Sequence, residues 1–179
     1  MPNLAELAKA IHQASTPSNH TILIYGDAKT GKTRLAATIA RLISAKRIFW
    51  FDGENGSDVL FQMLKSGDLS SEQAAKITLF KMLDTPEKPR FMETMTKVLC
   101  VSKPHKICDA HGRIACPDCD KAKLPFTEFN KSTLGHSDWI VIDSGSQLAD
   151  SMMAYLTISQ PIDYKPDWDE YGPQGLMLR

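Results

Sequence analysis

The stretch that most constrains this chain is Gly26-Asp27-Ala28-Lys29-Thr30-Gly31-Lys32-Thr33. It has the form G-x-x-x-x-G-K-T, the phosphate-binding P-loop pattern. Its glycines let the backbone curl until successive N–H groups point into one concavity, and such a concavity binds anions. A helix leaving the loop adds its positive N-terminal end. Lys32 then reaches the β- and γ-phosphates, and the Thr33 hydroxyl ligates Mg²⁺. The flanks agree with this reading. His20-Thr21-Ile22-Leu23-Ile24-Tyr25 reads as a buried strand entering the loop. Residues 33–45 read as the helix leaving it, with Leu35, Ile39, Leu42 and Ile43 on one face. Nucleotide binding is therefore expected through Gly26, Asp27, Ala28, Lys29, Thr30, Gly31, Lys32 and Thr33, with Arg34 adjoining.

A chain of 179 residues makes one domain, with room for a small insert. Its 21 basic residues balance 21 acidic ones, so no global charge announces a nucleic-acid wrapper. No apolar run approaches the ~18 residues of a membrane span. The N-terminus lacks the basic start and apolar core of a secretory signal. A cytoplasmic protein is expected, or one in the host cytoplasm if a phage encodes it. The four cysteines fall unevenly and beside histidine, which suggests metal in a reducing compartment rather than disulfides.

Three segments read as further strands: residues 47–52, 76–82 and 138–143. Helices are expected over 3–14, 58–65, 70–75, from 85 through Cys100, and from Ser144 to about Thr157. Ser57 and Ser144 are candidate N-caps, and Ser70-Ser71-Glu72-Gln73 resembles a capping box. The organisation expected is a helix and linker over 1–18, an α/β nucleotide-binding core over 19–179, and an insert over 102–124 within that core.

Two carboxylates stand out beside the loop. A P-loop site needs an acid at the end of a neighbouring strand to hold the Mg²⁺ shell. Ile140-Val141-Ile142-Asp143 supplies one, unless Asp143 merely caps the next helix. Hydrolysis also needs a base to orient and deprotonate a water in line with the γ-phosphate. Phe51-Asp52-Gly53-Glu54 offers two acids. Asp52 sits at the strand end, whereas Glu54 lies in the turn and can reach outward. Glu54 is the favoured base, and a solvated turn carboxylate is the alternative.

Phe51-Asp52-Gly53-Glu54 and Val141-Ile142-Asp143-Ser144 together resemble the RecA-type ATPase core. The chain is similar, more closely, to small bacteriophage RecA-like NTP-binding proteins linked to single-strand annealing and recombination. Trp168-Asp169-Glu170-Tyr171-Gly172 fits a segment that follows the Mg²⁺ strand in those proteins. The resemblance covers roughly residues 19–172 outside the cysteine insert. It implies a mostly parallel sheet flanked by helices, ATP and Mg²⁺ as cofactors, Lys32 and Thr33 on phosphate and Mg²⁺, Asp143 on Mg²⁺, and Glu54 as base. Single-stranded DNA and further copies of the chain are the partners it implies. RecA-type cores also place one more strand between the P-loop strand and the Mg²⁺ strand. No such strand follows Ser144; the C-terminal part of the core is expected in a longer native chain, with a partner that completes the sheet or a different arrangement of the 76–82 strand as the alternatives.

The insert holds Cys108-x2-His111-x4-Cys116-x2-Cys119. Two close pairs, each spanning a tight turn with Gly112 and Pro117 helping, make a tetrahedral Zn²⁺ site with every position filled by protein. Buried free thiols, or a redox pair at Cys116 and Cys119, are the alternatives. Cys100 and His105 are spare ligands. Lys103, Lys106, Arg113, Lys121 and Lys123 surround the segment, as a solvated face or as a contact for nucleic-acid backbone.

The function expected is Mg²⁺-dependent ATP binding and hydrolysis coupled to DNA recombination, repair or single-strand annealing. A nucleotide-gated module that recruits DNA-processing partners is the alternative. A P-loop small-molecule kinase ranks last, because no Arg follows Asp143 until Arg179 to build a lid.

Overall fold

The computed structural model describes residues 21–82, 84 and 89–157. Its centre is β1 (Arg47–Asp52), buried from Ile48 onward. A strand covered on both faces needs no polar alternation, which is how an unbroken Ile-Phe-Trp-Phe run can sit there. The pleat sends Ile48 and Trp50 to one face and Phe49 and Phe51 to the other, and a separate apolar cluster forms on each. β2 (Ile77–Lys81) and β5 (Asp138–Asp143) flank β1, both parallel to it. Arg47 ties the start of this sheet together through two bonds to Asp138, at 3.0 and 2.6 Å.

On the Ile48 and Trp50 face lie α1 (Lys32–Ala37), a 3-10 turn (Thr38–Arg41) and α2 (Asp58–Ser66). The short α3 (Ser71–Ala74) begins in the capping box read at Ser70 and Gln73. On the other face lie α4 (Arg90–Cys100), α6 (Gly145–Thr157) and a hairpin of β3 (His105–Cys108) with β4 (Phe126–Phe129). Between the two hairpin strands sits α5 (Pro117–Lys121). The hairpin belongs to the core. Ile107 and Phe129 are fully buried with Phe49, Phe51, Phe80 and Met82, and the Phe129 ring meets Phe49 edge-on at 5.0 Å.

Two expectations around the loop are corrected. Residues 21–25 form no strand: Ile22, Leu23 and Tyr25 are 63, 82 and 87% exposed. The sheet order is β2-β1-β5, and no described strand pairs the outer edge of β5. A parallel strand is held only by a hydrogen-bonded neighbour, and the described residues offer residues 21–25 none. The helix after the loop also stops early. Thr38 Oγ1 donates to the Leu35 carbonyl at 2.6 Å, where the chain tightens into the 3-10 turn. Lys76 Nζ then takes the carbonyls of Ala40 and Leu42, which satisfies backbone groups that would otherwise continue the ladder, and the Arg41 guanidinium turns away to the Asp68 carbonyl. Small residues, Ala37 and Ala40, face the sheet, while Leu35, Leu42 and Ile43 are exposed. The helix expected over 3–14, the start of the one expected from 85, and Trp168 to Gly172 lie outside the described residues. No described helix is long and apolar enough to cross a membrane.

Candidate nucleotide and metal sites

The loop is built by local conformation. Lys29 and Gly31 have φ of 63° and 88°, and Gly26 has φ of 151°. Left-handed residues turn successive N–H groups toward one side, the geometry of an anion nest. Thr30 Oγ1 donates to the Asp27 carbonyl at 2.8 Å and closes the curl. Lys32 Nζ donates to the carbonyls of Gly26 and Asp27 at 2.9 and 2.8 Å, so its ammonium lies across the loop. Arg34 turns elsewhere: its guanidinium pairs with Asp68 on the surface.

The second half of the site comes from β1 and β5. Their register sets Asp52 beside Asp143, and the Gly53 N–H donates to the Asp143 carbonyl. Asp52 is buried and spends its carboxylate on the backbone. It accepts from Glu54, Gly56 and Ser57 N–H groups at 3.2, 2.9 and 2.9 Å. It thereby shapes the 53–57 turn that leads into α2; Ser57, the expected N-cap, makes no side-chain cap bond. Glu54 is left exposed at the tip of that turn. Its carboxylate accepts from the Ser144 and Ser146 hydroxyls. Gly53 is required where it stands, since a Cβ would lie 2.4 Å from the Phe91 ring.

Asp143 and Thr33 face one small space. A Cβ added to Gly56 would come within 3.3 Å of Asp143 Oδ2 and 3.5 Å of Thr33 Oγ1. Asp143 Oδ2 is buried with no hydrogen-bond partner. Two hard oxygens converging on a confined space suit Mg²⁺, which keeps the rest of its shell as water and phosphate. The residues present therefore fit that ion. Burial raises the Asp143 carboxyl above its ordinary value; the Thr33 hydroxyl opposes this, and the negative charges of Asp52 and Glu54 add to it.

A raised folded-state value means that the native protein holds the proton more tightly than the unfolded chain. The ionised carboxylate then costs stability, increasingly as pH climbs from the ordinary carboxylate range through the raised value, and not below it. Asp143→Asn is therefore expected to melt higher than wild type at neutral pH without Mg²⁺, and to lose the extra stabilisation that Mg²⁺ and nucleotide give wild type. Melting curves from about pH 4 to pH 8 check it, with the gap widening upward.

The cysteine segment makes a second, separate site. The ligand atoms of Cys108, His111, Cys116 and Cys119 all lie within 4.8 Å of one another. His111 Nδ1 is 3.2 Å from Cys119 Sγ and 3.6 Å from Cys116 Sγ. Those are the edge lengths of a tetrahedron with metal–ligand bonds of about 2.0–2.3 Å. All three sulfurs are fully buried. Burial pushes the Cys116 thiol up, but the Cys119 N–H and His111 outweigh it and bring the thiol down to about 6. Cys119 is pushed up to about 12, by burial first and then by the neighbouring sulfurs. Cys100 is exposed and His105 turns toward the Val101 carbonyl, so neither joins the group.

A model of the AAA domain family matches residues 18–176. The chain belongs to the AAA domain family. This AAA domain is a P-loop NTPase domain, and the matched range includes the G-x-x-x-x-G-K-T pattern at Gly26 to Thr33. Its parallel sheet is flanked by helices, and its Cys/His cluster is compatible with a zinc ion. No curated protein and no solved structure matches the chain. Two features of the site escaped sequence reading: Asp52 as the anchor of the turn, and the two serines on Glu54. Only the register of parallel strands brings Ser144 to a residue 90 positions earlier.

Proposed function

We propose that this AAA domain is a Mg²⁺-dependent ATPase of RecA type. The observation that carries the reading is that the β1–β5 register brings Asp143 to the Glu54 turn while Thr33 faces Asp143 across one small space. Gly26 to Thr33 cradle the phosphates, and Lys32 leaves the loop carbonyls for the β- and γ-oxygens. Thr33 and Asp143 would hold Mg²⁺, which when bound would neutralise the charge that develops on the phosphates. Glu54 orients a water and takes its proton. The clustered charges of Asp52, Glu54 and Asp143 hold a cation better than they tolerate one another.

A role in DNA recombination, repair or single-strand annealing, and assembly with further copies, rest on the resemblance around Phe51–Glu54 and Val141–Ser144. The Cys108, His111, Cys116 and Cys119 site takes Zn²⁺ as a structural ion, because protein supplies all four ligands. The reading is tested by ATP binding and turnover of the full chain, with and without single-stranded DNA, beside Lys32→Ala. Turnover that DNA stimulates and Lys32→Ala abolishes is expected. Tight ATP binding with no turnover would instead identify a nucleotide-gated binding module. The unpaired run at residues 21–25, which leaves the loop without a sheet anchor among the described residues, favours that second reading.

A further inference from the structure

We propose that Ser144 is the positioning residue of the base Glu54, with Ser146 supporting it; this rests on the reading of Glu54 as base. Glu54 sits in an exposed turn, where a free carboxylate samples several rotamers. Here its Oε1 accepts from the Ser144 hydroxyl and, at 3.4 Å, from Ser146. The two hydroxyls are 2.8 Å apart. Ser144 Oγ in turn accepts from the Gln147 N–H at 3.4 Å, at the first turn of α6. The helix thus holds the serine and the serine holds the glutamate.

The consequence is chemical. Both hydroxyls engage Oε1, and no described residue engages Oε2, which stays available to take a proton from water. Ser144 is also covalently next to Asp143. One peptide therefore links the carboxylate read as the Mg²⁺ ligand to the residue that aims the base. A general base works only within hydrogen-bond reach of the proton it takes. Losing its orientation lowers kcat and leaves the binding of nucleotide by the loop alone.

The test measures kcat, KM and ATP affinity for wild type, Ser144→Ala, Ser144→Thr, Glu54→Gln and the Glu54→Gln/Ser144→Ala double variant. A hydrogen bond to a charged group sets the scale, so Ser144→Ala is expected to lose about ten- to hundredfold in kcat. ATP affinity and melting temperature stay put. Ser144→Thr keeps the hydroxyl and restores most of the rate. The double variant is no slower than Glu54→Gln, because an aiming residue has nothing left to aim. Wild-type kcat in Ser144→Ala beside an inactive Glu54→Gln would overturn the proposal and leave the base standing. So would an equal further loss in the double variant. Full activity of Glu54→Gln, or no turnover by wild type, would overturn the base and this proposal together.

Discussion

Glu54→Gln is expected to lower ATP turnover by about 10²–10⁴-fold while ATP still binds, since proton transfer by a positioned base is worth that much. The amide keeps the size of the side chain and can still accept from Ser144 and Ser146. It cannot take a proton. Nothing else in the turn can replace it. Asp52 is one residue from Gly53 and two from Glu54, but its oxygens are held by three backbone N–H groups and it is buried. Asp143 faces Thr33 and the space suited to Mg²⁺. Steady-state turnover with a parallel ATP-binding isotherm checks the result. Weakened binding in proportion to the lost rate would assign Glu54 to the nucleotide site rather than to the water.

With Zn²⁺ in the cysteine site as proposed, Cys116→Ser is expected to release it and to lower the melting temperature by about 10 °C or more. Structural zinc contributes roughly 10 kcal/mol in small zinc modules. Part of that survives here, because Ile107 and Phe129 hold the hairpin to the core without it. A net loss of about 3–5 kcal/mol corresponds to roughly 10–15 °C in a chain of this length. The damage should spread beyond the hairpin. Gly112, at φ 63°, lies so close to β2 that a Cβ would come within 2.4 Å of the Lys81 carbonyl. Thr94 of α4 donates to the Gly112 carbonyl at 2.9 Å. The Met82 N–H donates to the Asp52 carbonyl at 2.8 Å. A loosened cysteine loop therefore unseats α4 and the end of β2, next to the residue that shapes the Glu54 turn. Metal content by elemental analysis and thermal unfolding check the prediction, with Cys100→Ser, exposed and outside the cluster, as the control. Unchanged stability in Cys116→Ser would remove the metal from the account of this fold.

What the sequence determined by itself was local. The P-loop is a contiguous motif whose spacing encodes its own backbone geometry, and the family match covers it. The apolar runs of β1 and β5, the capping box at Ser70 and the helix after Ser144 were legible for the same reason. Each is a short segment whose propensity, period or cap decides its form without distant help. The four metal-type ligands fall within twelve residues, so their meeting needed only two turns. What the tertiary structure decided was every relation across the chain. Strand register alone sets Asp52 beside Asp143 and brings Ser144 to Glu54. Packing alone made the cysteine hairpin part of the core. Residues 20–25 show the limit most plainly. An apolar, β-branched run states a preference for strand, but a strand exists only where a neighbour accepts its hydrogen bonds, and residues 21–25 have none among those described.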